Sequence, residues 1–199
     1  MVSLRDFSRI DESKVKDVDI NDCITTSLVM ARNNLKTLDI TTNLATLPLI
    51  QCNPSQINQV LLNLFNNAAQ AIAPDQKGEL HITSAVDETQ SQVVVQVTDN
   101  GIGINEQALE RIFEPFFTTK KAGDGTGLGL AISTQIIEQH GGSIAASSIV
   151  GEGTTFTIML PIQSKTYENK PSKALFEGWE TSHHSPKESL MQKQKMAFI

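Results

Sequence analysis

The chain has 199 residues, 39% of them hydrophobic, and a formal net charge of −6, which suits one domain with a proper core and a short further segment. Charges of both signs are spread along it without a basic run, so the composition speaks against nucleic acid or an anionic membrane surface as a partner. No stretch approaches the roughly 20 apolar residues of a membrane span, MVSLRDFSRIDESK lacks a signal-peptide core, and Cys23 and Cys52 have neither metal-ligand nor disulfide-framework spacing, which together predict a reduced, cytoplasmic location.

Residues 1–18 are polar, with isolated Leu4, Phe7 and Ile10, and read as the last turns of a helix and a linker. The spacing of Ile20, Ile24, Leu28, Ala31 and Leu35 predicts a helix over 20–36. Asp39 to Ala45 alternates like a half-buried strand, with Leu49 to Cys52 expected to pair near it. Pro54 and Ser55 open a second helix, Ser55 as the expected cap, with Ile57, Val60, Leu61, Leu64, Ala68, Ala71 and Ile72 on its apolar face and Pro74 and Asp75 ending it. Leu80–Val86 and Val93–Asp99 read as a hairpin across DETQSQ, and 105–112 as a short helix. A Thr-, Lys- and Gly-rich connection over 113–129 leads to a helix from Leu128 to Gln139, stopped by Gly141 and Gly142. Ser143–Ile149 and Thr154–Leu160 are the last strands, and periodicity ends near Gln163, leaving 163–199 as a tail or linker. Helices interrupt antiparallel pairs without alternating strictly with strands. That predicts an α+β fold: a two-layer α/β sandwich with a mixed, mostly antiparallel sheet packed on helices.

Three segments carry candidate chemistry. On the second helix Gln59, Asn63, Asn67 and Gln70 fall on one stripe, and asparagines are poor helix formers. An amide oxygen is a hard ligand for Mg²⁺ and an amide NH₂ can donate to phosphate, though a solvated polar face would look the same. In VVVQVTDNGIGI an apolar strand ends in Asp99, then Gly101 and Gly103. A carboxylate there can accept from an exocyclic amine while glycines let backbone approach a ring; an ordinary Asp-Asn-Gly turn is the alternative. In GDGTGLGLAIS, Gly123, Gly125, Gly127 and Gly129 lead into a helix whose N–H groups suit a phosphate, though a flexible hinge would read alike. No Gly-Lys-Ser/Thr follows, and FFTTKKAG before it is not a strand, so neither a Walker loop nor a dinucleotide fingerprint fits.

In order and spacing these segments resemble the boxes of the GHKL ATPases, most closely the sensor histidine kinases. NLFNNA resembles the N box, DNGIGI and GTGLGLAIS the two glycine boxes, FEPFFTTK the F box and GEGTTFTIMLP the closing strand, over about Asp39 to Pro161. The resemblance implies a Bergerat-type fold over 19–162, with ATP and Mg²⁺ as cofactors. It implies that Asn67 binds the metal, that Asn63 sits near the phosphates, and that Asp99 selects adenine between Gly101 and Gly103 with help from Thr154. Gly125, Thr126, Gly127, Leu128 and Gly129 would close over the phosphates, and Lys120 would approach the γ-phosphate. Phe116 and Phe117 would anchor the lid, largely by core packing.

Gyrase, MutL and the heat-shock chaperone ATPases carry a glutamate where this chain has Asn63. An amide is no general base near neutral pH, so transfer is favoured over hydrolysis. The complete F box sets the chain apart from anti-sigma-factor kinases. The acceptor histidine is expected on a dimerising hairpin preceding this domain, with a response-regulator receiver domain as the indirect partner. His81, His140, His183 and His184 lack an acceptor's context, so this segment is expected to start after the acceptor and to be monomeric. A degenerate nucleotide-binding module that regulates a partner is the alternative.

Overall fold

The computed structural model describes residues 15–120 and 125–162. In chain order these form β1 (Lys16–Val18), α1 (Ile20–Leu35), β2 (Leu38–Leu44), β3 (Ile50–Cys52), α2 (Pro54–Ala71), β4 (Gly78–Val86), β5 (Gln92–Asp99), α3 (Glu106–Leu109), α4 (Gly129–Gln139), β6 (Ser143–Ile149) and β7 (Gly153–Pro161). The main sheet has five strands in the order β2-β4-β5-β7-β6. Only β2 and β4 pair in parallel; the other neighbours are antiparallel. Helices α1, α2 and α4 form the second layer, with α2 at its centre, packed against α1, α4, β5 and β7. The expected mixed two-layer sandwich is therefore what the chain builds.

The apolar spacing of α2 explains its central place. Ile57, Val60, Leu61, Leu64, Phe65 and Ala68 are all buried, a stripe too wide for a helix with one neighbour. Burying each large side chain contributes about 1.5–3 kcal/mol relative to exposure. In the sheet, Leu80 and Ile82 of β4, Val93, Val95 and Val97 of β5, and Phe156, Ile158 and Leu160 of β7 fill the facing layer at alternate positions.

Three local expectations are corrected. The cap of α2 is Asn53: its side chain accepts from Ser55 N at 3.0 Å and Gln56 N at 3.3 Å. Pro54 has no N–H, so the cap must sit before it and reach past it. β3 pairs antiparallel with β1, not with β2. The short helix spans only Glu106–Leu109, because Arg111 N donates to Ala108 O and Glu114 N to Arg111 O, i→i−3 bonds that tighten the chain into turns. Residues 1–14 and 163–199 lie outside the described residues, as do Gly123 and the expected tail.

His140 couples the two helices that frame the site. It caps α4, is 3% exposed, and its Nδ1 bonds Ile136 O at 2.7 Å while Nε2 accepts from Asn53 N at 3.0 Å. That pairing fixes the neutral Nδ1–H tautomer. Burial, the larger effect, pushes its pKa down from 6.5 against the Ile136 bond. A depressed base contributes stability present above its unfolded pKa and lost as pH falls through the window below 6.5. His140→Ala is expected to cost about 2 kcal/mol and to flatten that acid-side loss, read as urea midpoints at pH 7.5 and pH 5.

Candidate nucleotide site

The site is assembled along the last turns of α2. Asp99 ends β5, 4% exposed, opposite Thr154 of β7 in the antiparallel register. Its carboxylate accepts from Gly101 N at 2.9 Å and from the Thr154 backbone N–H. Burial, the first cause, raises its pKa; the two N–H donors only partly offset it. A carboxylate held this way has spare lone pairs and little water, which suits it to accept one strong bond from a ligand.

The DNGIGI loop is tied down on both sides. Ile102 N donates to Ala71 O at 2.9 Å, the end of α2, and the Gly151 N–H donates to Ile102 O. Gly103 has φ +71°, and a Cβ there would meet Ile149 O at 2.2 Å, so a side chain is refused on both counts. Asn100 holds the loop from behind: its Oδ1 accepts from Glu79 N at 2.8 Å and its Nδ2 donates to Lys77 O at 3.0 Å.

Ser148, which the sequence did not single out, knits the closing strands to this loop. Its hydroxyl donates to Gly153 O at 2.8 Å and accepts from Ile104 N at 2.8 Å. With that proton committed, Thr154 is the donor in the 2.9 Å Ser148–Thr154 hydroxyl pair. Thr154 is buried, and its hydroxyl oxygen keeps acceptor capacity.

The amide stripe of α2 divides its labour. Asn66, outside that stripe, accepts from Asn34 of α1 at 2.8 Å. Asn63 faces α4: its Nδ2 donates to Ser133 Oγ at 3.0 Å, and Ser133 Oγ donates to Gly129 O at 2.9 Å. A Cβ on Gly129 would meet Asn63 Oδ1 at 2.3 Å, so glycine lets the first turn of α4 rest on this side chain. Leu128, the N-cap of α4, offers no capping side chain; its own N–H bonds Thr126 Oγ1 at 3.4 Å. The first N–H groups of α4 are thus uncapped by the N-cap residue, with the partial positive charge of a helix start.

One turn along α2, Asn67 Oδ1 accepts from Lys120 Nζ at 3.2 Å, and Gln70 Oε1 accepts from the same nitrogen. Two neutral amide oxygens converging on one cation are hard donors of the kind Mg²⁺ takes together with phosphate oxygens and water. The residues present therefore fit that ion. Desolvation lowers the Lys120 pKa.

The base of the lid is braced by Phe116 N donating to Gly127 O at 2.9 Å. Phe117 packs on the core under Arg111, whose guanidinium lies 4.6 Å from the ring centre. Phe116 departs from the expected core packing: it is 72% exposed, with φ 66°. The hydrogen bond to Gly127 fixes its backbone and turns the ring outward.

The fold is shared with known proteins. Residues 52–164 match the family described as histidine kinase-, DNA gyrase B- and HSP90-like ATPases. The chain is 44% identical over 151 residues to the sensor histidine kinase ZraS of Salmonella typhimurium, covering 74% of this chain and 31% of that protein. It is 40% identical over 148 residues to sporulation kinase E of Bacillus subtilis, covering 73% of this chain and 19% of that protein. The chain thus spans under a third of the length of these curated relatives. Among solved structures, the catalytic domain of histidine kinase ThkA superposes with a TM-score of 0.66 at 32% identity, over 75% of this chain and 97% of that one. Full-length ShkA in complex with AMPPNP gives 0.67 at 27% identity, over 78% of this chain and 33% of that one.

Proposed function

This chain belongs to the histidine kinase-, DNA gyrase B- and HSP90-like ATPase family, and from that premise we propose that it is the ATP-binding catalytic domain of a two-component sensor histidine kinase. It moves the γ-phosphoryl group of Mg·ATP to a histidine on a helical hairpin outside the described residues. The observation that carries this reading is the pairing along α2. A buried, ligand-ready Asp99 stands beyond its end, and the amide pair Asn67 and Gln70, which accepts from the Lys120 ammonium, lies on its last turn.

Asp99 accepts the adenine amino group, the Gly101–Gly103 backbone lies against the ring, and Thr154 adds a second contact, directly or through water. Gly125, Thr126, Gly127, Leu128 and Gly129 bring the lid and the uncapped start of α4 onto the phosphates. Asn63 keeps that helix start in place through Ser133. Asn67 would hold magnesium, which would supply positive charge to neutralise the phosphates. Lys120 stabilises charge on the γ-phosphoryl oxygens. The acceptor imidazole nitrogen attacks phosphorus, the bond to the β,γ-bridging oxygen breaks, and ADP leaves. The position from which a glutamate would activate water is Asn63, whose amide is committed to Ser133, so hydrolysis is slow.

In this account residues 19–162 are the nucleotide-binding unit, joined by β1, which pairs with β3 and buries Val18 in the same core; the residues before β1 are the entry from the hairpin, and 163–199 a tail or linker. Dimerisation belongs to the hairpin, so this segment is monomeric. A receiver domain draws on the phosphohistidine, and the unit works in the cytoplasm where ATP is. Among the described residues no helix is long and apolar enough to cross a membrane.

The test is to incubate the chain with γ-labelled ATP and its kinase's acceptor hairpin as a separate chain. Acid-labile, base-stable label on one hairpin histidine is expected, with little free phosphate. Bound nucleotide without labelled hairpin would favour a regulatory module, and rapid phosphate release a hydrolase.

A further inference from the structure

We infer that Gln70 is a positioning residue for Lys120: it holds the Lys120 ammonium on Asn67 Oδ1, so that Lys120 and magnesium are alternative cations at one oxygen. The inference rests on the nucleotide-site reading above and extends it to a residue and a competition that reading does not contain.

Gln70 lies three residues after Asn67, so both amides project from the same face of α2. It is exposed, and water alone would satisfy its side chain. Instead its Oε1 and Asn67 Oδ1 close on the same Nζ. The lid supports the arrangement from its own side. Lys120 N donates to Thr118 Oγ1 at 3.2 Å, and a Cβ on Gly125 would meet Thr118 Oγ1 at 2.9 Å and the Lys120 stem at 3.2 Å. Thr118 and Gly125 therefore both lie beside this lysine.

An ammonium is a compact charge on a flexible stem, with donors only. It can occupy Asn67 Oδ1 but cannot share it with a divalent ion, because like charges a few ångströms apart repel. A divalent ion on Asn67 Oδ1 would displace Lys120, which frees the ammonium for the γ-phosphate. Gln70 sets how firmly the lysine resists. It acts through Lys120 and needs no contact with the nucleotide.

Calorimetry on the whole chain tests this with two probes, Mg·ADP and metal-free ADP. ADP has no γ-phosphate, so a lysine released from Asn67 gains no partner there. Gln70→Leu and Lys120→Met are each expected to tighten Mg·ADP about threefold and to leave metal-free ADP within about twofold, the small effect of a partly exposed charged hydrogen bond. The double variant should bind Mg·ADP no more tightly than Lys120→Met alone, because both substitutions remove one interaction. Gln70 is exposed, so its variant should keep the wild-type melting temperature. Weaker or unchanged Mg·ADP binding by Gln70→Leu, an equal shift for both probes, or additive effects would each overturn the inference. Failure of the wild-type chain to bind either probe would instead remove the nucleotide site itself.

Discussion

Asp99→Asn weakens ATP binding by roughly 10²- to 10³-fold while leaving the fold intact, because a site built to accept one hydrogen bond rejects the group that reverses it. The carboxylate accepts from Gly101 N and the Thr154 N–H and keeps lone pairs for a ligand amine. An asparagine can satisfy one of those N–H groups with its oxygen. Its NH₂ then faces either the other N–H or the adenine amine, two donors in opposition. Stability moves the other way. Burial raises the Asp99 pKa, so the stability linked to its protonated form is fully present below the unfolded value and is lost as pH rises through the raised folded one. A neutral isostere escapes that penalty, and the melting temperature of the variant should match or exceed wild type at pH 7.5. ATP affinity of the wild-type chain should decline on acidification at a pH above the ordinary carboxylate value of 3.8, as the accepting form is lost. A variant that binds ATP normally would remove Asp99 from the site.

Asn67→Ala produces the second large effect, confined to the metal. Its Oδ1 holds Lys120 Nζ at 3.2 Å in a half-buried position on α2. Removing that oxygen should cut Mg²⁺-dependent phosphoryl transfer by roughly 10²-fold or more, about 3 kcal/mol, as expected of the magnesium ligand proposed above. Titration separates this from a folding defect. Mg·ATP should bind the variant no better than metal-free ATP does, and metal-free ATP should bind variant and wild type alike. Equal loss of both forms would make Asn67 a structural residue of α2.

Much of the fold was legible because burial writes periodicity into the chain. The 3.6-residue spacing from Ile57 to Ala68 and the alternation through β5 and β7 each imply a face, and each face is buried. Asp99 was legible for the same reason: a carboxylate closing an apolar run is out of place unless it has a task. β1 left no signal, since three residues cannot show a period and its pairing with β3 is a tertiary event. Asn53 and Ser55 are both good caps, and only the missing N–H of Pro54 decides between them. Ser148 sits in SIAASSI, where nothing distinguishes it from Ser147; the antiparallel pairing with β7 and the nearby Ile104 N–H do. The stripe of α2 showed which amides share a face but not that Asn63 turns to Ser133 while Asn67 and Gln70 take Lys120. Those partners lie 70, 53 and 50 residues away. Phe116 misled because aromatic residues usually pack, and here the backbone bond to Gly127 outweighs that tendency.

The most direct measurement is calorimetric titration of the wild-type chain with ATP and with GTP, each in the presence of Mg²⁺. GTP carries a carbonyl where ATP carries the amine that Asp99 would accept from, while the two triphosphates are identical. The account predicts saturable one-to-one binding of ATP and at least about a hundredfold weaker binding of GTP. Equal binding of the two, or no binding of ATP by a folded chain, would contradict it.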